Sequence, residues 1–132
     1  MARMKLPSVV RRVQIDTPGK AEIVEQLNVI ARMSNRGSVQ ARQEYYFKFR
    51  HFLFFAAEEF GLNNIRLIEP RHVSLFLLKQ VSNGKSLNSV LVYITAIRFW
   101  HKQIPGRRYD IPKNKELIAG VNEKNQRRYR RI

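Results

Sequence analysis

Apolar residues recur along this chain at three- and four-residue steps in four stretches, a spacing that lines one side of a helix and does not fit the alternation of a strand. In the stretch that organises the rest, Leu87, Val90, Leu91, Ile94, Ile97 and Ile104 follow Ser86. The serine stands where an N-cap belongs, its hydroxyl satisfying an amide left orphaned in the first helical turn. Pro105-Gly106 ends this helix. Upstream, Ser38 fits the cap of a helix running to about Phe60, with Gly61 as a left-handed terminator. Tyr45, Phe49, Phe52, Leu53, Ala56 and Phe60 make one stripe there, and Tyr46, Phe47, Phe54 and Phe55 widen it to most of the circumference. A helix so apolar must be covered on several sides, which predicts the central post of the fold.

The remaining stretches are shorter. Thr17-Pro18 reads as an N-cap followed by proline at the first helical position, opening a helix whose face is Ile23, Leu27, Ile30 and Ala31, with Val24 beside it. Turn chemistry at Ser34-Asn35-Arg36-Gly37 stops it. Pro70 starts a third helix, with Val73, Phe76, Leu77 and Val81 facing inward, and Ser82-Asn83-Gly84 ends it. A last short helix runs from about Lys113 to Ala119 and ends at Gly120. No segment alternates well enough for a sheet, and no internal repeat occurs. The pattern predicts an all-α fold, a compact bundle of four to five helices over residues 17–120, with a basic N-terminal arm (1–16) lacking a sustained period and a basic tail or linker (121–132).

Composition narrows the function classes. Lys and Arg number 25 against 10 acidic residues, a formal charge of +15 in 132 residues. That excess opposes self-association and favours a polyanionic partner, most often nucleic acid. With no cysteine there is no disulfide framework and no Cys-ligated metal. The longest apolar runs, such as Phe52 to Ala57, fall far short of the roughly 20 residues of a membrane span, and the start has no signal-peptide hydrophobic region. The expected setting is cytoplasmic, nucleoid-associated in a bacterium, with no membrane partner.

Catalytic chemistry is missing from the pattern. His51, His72 and His101 are far apart and lack a second ligand at metal-binding spacing. Glu58 and Glu59 are adjacent and point different ways around a helix. No Gly-rich phosphate loop occurs. The chain is expected to be no enzyme in this form, with no cofactor, no metal and no small-molecule substrate. His101 reads as a packing residue. Nucleic-acid binding asks for less: cationic side chains and polar helix starts held on a rigid body. Ser38 and Ser86 head two such starts, with Arg36 and Lys85 adjacent, and both entrances would face one groove if the helices cross. Arg42, Lys48 and Arg50 lie in the first half of the long helix, against its dipole, which either an external anion or a simple solvated face explains. Most aromatics fall on apolar stripes, so they read as core more than as base-stacking platforms.

These residues resemble a known family. Ser38-x-x-Ala41 followed by Tyr45, Phe49 and Phe52; a proline-started helix; Gly84-Lys85-Ser86-x-x-Ser89-Val90 leading to Tyr93-Ile94-x-Ala96-Ile97-Arg98-x-x-His101; and Gly120 after a short helix are similar to the core-binding domain of tyrosine recombinases, the phage integrase family. The resemblance covers about Thr17 to Gly120. It implies a SAM-like helical bundle resting on one side of double-stranded DNA at a recombination site, with other recombinase protomers or a separate catalytic domain as partners. The residues it implies face DNA are Ser38, Arg42, Lys85, Ser86, Asn88 and Ser89; Lys48 and Arg98 complete the expected set. Two departures stand out. Ala41 replaces the threonine common at its position, and the family's catalytic arginine, lysine, His-x-x-Arg and tyrosine cannot be placed after Gly120, where Tyr129 has no such partners. The expectation is a non-catalytic DNA-binding module of a site-specific recombinase or integrase, whose longer parent would be the enzyme. The alternative is a stand-alone helical module, binding protein or nucleic acid, unrelated to recombination.

Overall fold

The computed structural model describes residues 19–119, within which every regular element is helical. Helix α1 spans Lys20–Met33, α2 Val39–Phe60, α3 Pro70–Ser82 and α4 Leu87–His101; a 3₁₀ turn, Ile65–Leu67, links α2 to α3. Residues 114–119 form α5. The expected all-α bundle is the architecture found, and no helix among the described residues is long and apolar enough to cross a membrane. Arm 1–16, Gly120, tail 121–132 and Tyr129 lie outside the described residues.

Helix α2 is bounded as its sequence dictates. Ser38 Oγ accepts the Ala41 amide at 3.0 Å, and Gly61, at φ 68°, turns the chain so that its amide donates to Ala57 and that of Leu62 to Ala56. Its apolar circumference is then covered by α1, α3 and α4. Tyr46 donates to Asn28 at 2.6 Å while Lys20 pairs with Glu58, so α1 runs antiparallel to α2. Tyr45 meets Phe99 at 5.3 Å between ring centroids and His51 meets Tyr93 at 5.6 Å, so α4 is antiparallel to α2 as well. From α3, Phe76 enters between them and touches Phe52, Phe55, His51 and Tyr93 at 5.2–5.4 Å, mostly edge to face. Such pairs add about 0.5–1.5 kcal/mol each beyond their buried area.

Four local expectations need correction. Helix α4 ends at His101, before Pro105-Gly106, because the Gln103 and Ile104 amides turn back three residues to the Trp100 and His101 carbonyls, and Ile104 is buried from the turn beyond the helix. The N-cap of α1 is Gly19, at φ 95°, and the helix begins at Lys20 instead of Pro18; Thr17 and Pro18 are outside the described residues. The reason is tertiary, because a Cβ on residue 19 would sit 3.0 Å from the Leu62 carbonyl oxygen. Leu87 is 60% exposed, since the first turn of α4 projects past the core that buries Val90 and Ile94. In α3, Val81 is only half-buried while Gln80 is buried. The start of α3 also holds a feature beyond Pro70: the Glu69 amide donates to His72 Nδ1 at 3.0 Å, a reciprocal cap that fixes the ring's tautomer.

Gly19 and Gly61 both occupy left-handed backbone, but nothing lies within 4 Å of a Cβ at Gly61. Gly61→Ala is expected to cost about 1 kcal/mol and Gly19→Ala clearly more, measured by urea unfolding. Equal costs would show that the Leu62 contact relaxes freely.

Candidate nucleic-acid interface

The antiparallel pairing of α2 and α4 decides which candidate residues meet. Gly37 and Tyr45 lie against Phe99 near the end of α4, whereas Lys48 and His51 lie against Tyr93 nearer its start. Ser38 is therefore level with the C-terminal end of α4, and Ser86 is level with the last third of α2. At 1.5 Å per residue the two caps are separated by on the order of 25 Å along the bundle. The expected shared groove between the two helix entrances does not form, because two antiparallel helices put their N-termini at opposite ends.

Two arginines leave the candidate set on similar grounds. Arg42 is 2% exposed, and its guanidinium donates to the Arg36 and Gly37 carbonyls at 3.1 and 3.2 Å, tying the α1–α2 turn to α2. Arg98 donates to the Ile111 carbonyl at 3.3 Å, the Pro112 carbonyl at 2.8 Å and Asn114 Oδ1 at 2.6 Å, clamping the entry of α5 onto α4. Arg50 lies over the rings of Phe47 and Phe54 at 5.0 and 5.6 Å. The cations of the first half of α2 that oppose its dipole are thus largely held by carbonyls and rings, and an external anion is not needed to explain Arg42 or Arg50.

The remaining candidates gather at the other end. Gly84, at φ 84°, closes α3, and the Lys85 amide donates back to the Gln80 carbonyl at 3.0 Å, which delivers Lys85 directly before the α4 cap. Ser86 Oγ accepts the Ser89 amide and donates to Ser89 Oγ, both at 3.2 Å. Lys85, Ser86 and Asn88 are exposed, and Ser89 is half-buried. Two turns into α4, Lys48 of α2 holds its ammonium 5.0 Å from the Tyr93 ring, and Lys79 of α3 lies 5.3 Å from the Phe55 ring. Beside Lys48, His51 Nδ1 shares a 2.9 Å hydrogen bond with the Oη of the same Tyr93. Burial pushes the His51 imidazole below its ordinary value, and the fields of Lys79, Lys85 and Lys48 push it further, with Glu58 opposing. Glu58 is itself paired with Lys20. Lys48 of α2, Lys79 of α3 and Lys85 of the turn before α4 thus all bear on one neutral histidine, which meets Tyr93 two turns into α4.

Lys79 is the residue that sequence reasoning missed. It sits in the last turn of α3, where a cation is explained by the helix dipole alone; only its place one turn after the inward Phe76 hinted that it would face α2. Elsewhere the histidines are structural. His101 is 2% exposed and its pKa is lowered to about 4, chiefly by burial, then by Arg107 and Arg98 against Asp110. Among the described residues no group of three His, Asp or Glu side chains is placed to hold a metal ion. No family model, curated protein or solved structure matches this chain.

Arg42→Ala and Arg98→Ala are each expected to lower stability by about 2 kcal/mol, by stranding carbonyls that now accept charged hydrogen bonds, whereas Lys85→Ala should leave the melting temperature within a degree or two. Thermal melts of the three variants decide this. The folded state holds His101 neutral where an unfolded chain would protonate it, so its contribution is present above pH 6.5 and lost as pH falls towards 4. The stability advantage of wild type over His101→Gln should shrink by up to about 3 kcal/mol between pH 7 and pH 4, followed by urea titration. Parallel pH profiles would assign the acid sensitivity to other groups.

Proposed function

We propose that this bundle is a duplex DNA-binding module of a site-specific tyrosine recombinase or integrase, gripping the phosphate backbone with Lys48, Lys79 and Lys85 and setting the first turn of α4, Ser86, Asn88 and Ser89, against the strand. The observation that carries the reading is that three lysines, from α2, α3 and the turn before α4, bear on His51 beside the first two turns of α4, in a chain of net charge +15. A lysine is a compact, rotatable point charge, suited to phosphates whose exact position varies with sequence. A helix entrance supplies oriented amides to the same anion. Duplex is favoured over single strand because the rings at the cluster are taken up: Phe76 is fully buried, edge to face with Tyr93, and Lys48 lies over the half-buried Tyr93 ring. The recombinase part of the proposal rests on the motif around Ser86, Ala96-Ile97-Arg98 and His101. Ser38, Arg42 and Arg98 are not assigned DNA contacts, given their places in the bundle.

Affinity for duplex DNA should fall with salt, with log K losing about 0.9 per log unit of salt for each phosphate neutralised. In Lys48→Ala/Lys79→Ala/Lys85→Ala that slope should shallow by about 2.7 with the melting temperature unchanged. Fluorescence anisotropy on duplex, single-stranded DNA and RNA measures both. A flat salt response, a preference for RNA, or an unchanged slope in the triple variant would overturn the reading. The recombinase part is separable: a reading frame that continues past Ile132 into the family's catalytic arginine, His-x-x-Arg and tyrosine supports it, and a continuation of unrelated sequence removes it.

A further inference from the structure

His51 is the polar side chain of the lysine cluster that the phosphate grip leaves without a task. The residue is exposed, and its ring is held on two sides: Phe76 meets it edge to face at 5.2 Å between centroids, and Tyr93 at 5.6 Å. Nδ1 is engaged with Tyr93 Oη at 2.9 Å, while Nε2 has no hydrogen-bond partner among the described residues. The bond to Tyr93 survives a change of charge. A neutral ring accepts the hydroxyl proton at Nδ1, and a protonated ring donates its Nδ1–H to the same oxygen. Protonation therefore needs no rearrangement of the ring, and in both states Nε2–H remains a donor.

Two things hold the proton off in the free chain. Packing against Phe76 and Tyr93 removes part of the ring's water, and Lys79 of α3, Lys85 of the turn before α4 and Lys48, one turn earlier on α2, repel a further positive charge. Glu58, two turns later on α2, acts the other way but is paired with Lys20. Tyr93 of α4 is the remaining titratable group in contact, and burial makes its hydroxyl harder to ionise, so it adds no charge near neutral pH. A phosphate drawn to the three lysines reverses the balance, because its negative charge offsets theirs and favours a proton on the ring. By linkage, whatever strengthens proton binding in the complex strengthens duplex binding at lower pH to the same degree. Resting on the proposed function, we propose that His51 is a further DNA-binding residue, which takes up one proton from solvent as the duplex docks and donates Nε2–H to a phosphate oxygen as the fourth cation of the grip.

The sign of the effect follows from the two states. The free ring titrates below its ordinary value of 6.5 and the bound ring above the free one, so affinity rises as pH falls through the bound value and levels off below the free value. The full chain and His51→Gln are titrated onto a short duplex by fluorescence anisotropy between pH 8 and pH 6, and the ring Cε1–H resonance that His51→Gln lacks is followed by NMR with and without the duplex. Wild type is expected to bind at least about threefold more tightly at pH 6 than at pH 8, with the ring's midpoint raised by about one pH unit in the complex. His51→Gln should lose that gain while keeping its melting temperature and its binding at pH 8. Parallel pH profiles for the two proteins, or a midpoint that stays or falls on binding, would overturn this inference and leave the lysine grip standing. A duplex left unbound throughout the range would overturn both.

Discussion

The fold depends on having to cover α2 on every side. Twenty-two residues long and carrying Tyr46, Phe49, Phe52, Leu53 and Ala56 at zero exposure, it cannot rest against a single partner. Each covering helix is shorter, so each covers a portion of its length and a different flank. Helix α1 lies along one side, held by Tyr46 to Asn28 at one level and Lys20 to Glu58 at another. Helix α4 takes the opposite direction to α2, and α3 drives Phe76 into the angle between them. Fully burying one such ring is worth about 1.5–3 kcal/mol. The antiparallel run of α4 follows from this covering, and with it the distance between the two serine caps.

Much of the architecture was legible because burial leaves a periodic trace. The stripe from Tyr45 to Phe60, the caps at Ser38 and Ser86, the stop at Gly61 and the proline start at Pro70 each act within a turn or two of sequence, and each is where the pattern put it. What the pattern could not hold were contacts between distant residues. Gly19 is an N-cap because the Leu62 carbonyl crowds it, and nothing near residue 19 announces that. Periodicity says which face of a helix is buried but not which way its neighbour runs, so the two serine-led tips looked like companions. The gathering of Lys48, Lys79 and Lys85 needs three elements to be placed first.

The arginines and lysines separate by the chemistry of their head groups. A formal charge counts Arg42, Arg50, Arg98, Lys48, Lys79 and Lys85 alike, yet the three arginines are taken up by the bundle. Their planar, weakly hydrated forks bind carbonyls in the Arg36–Gly37 turn and before α5, or lie between phenyl rings. A lysine ammonium is more strongly hydrated and gains less from a buried carbonyl, so Lys79 and Lys85 stay exposed, and Lys48 holds its ammonium over the Tyr93 ring. The bidentate donors that read guanine edges in a major groove are thereby withdrawn from the candidate surface, and point charges that read phosphate remain. Under the proposed function, a surface made this way would position a duplex and discriminate little between sequences, leaving Asn88 and Ser89 in the first turn of α4 to offer hydrogen bonds to a base edge. For a module proposed to hold DNA while chemistry proceeds elsewhere, that division is mechanically sufficient, since holding requires affinity and register, and sequence choice can come from whatever it is joined to.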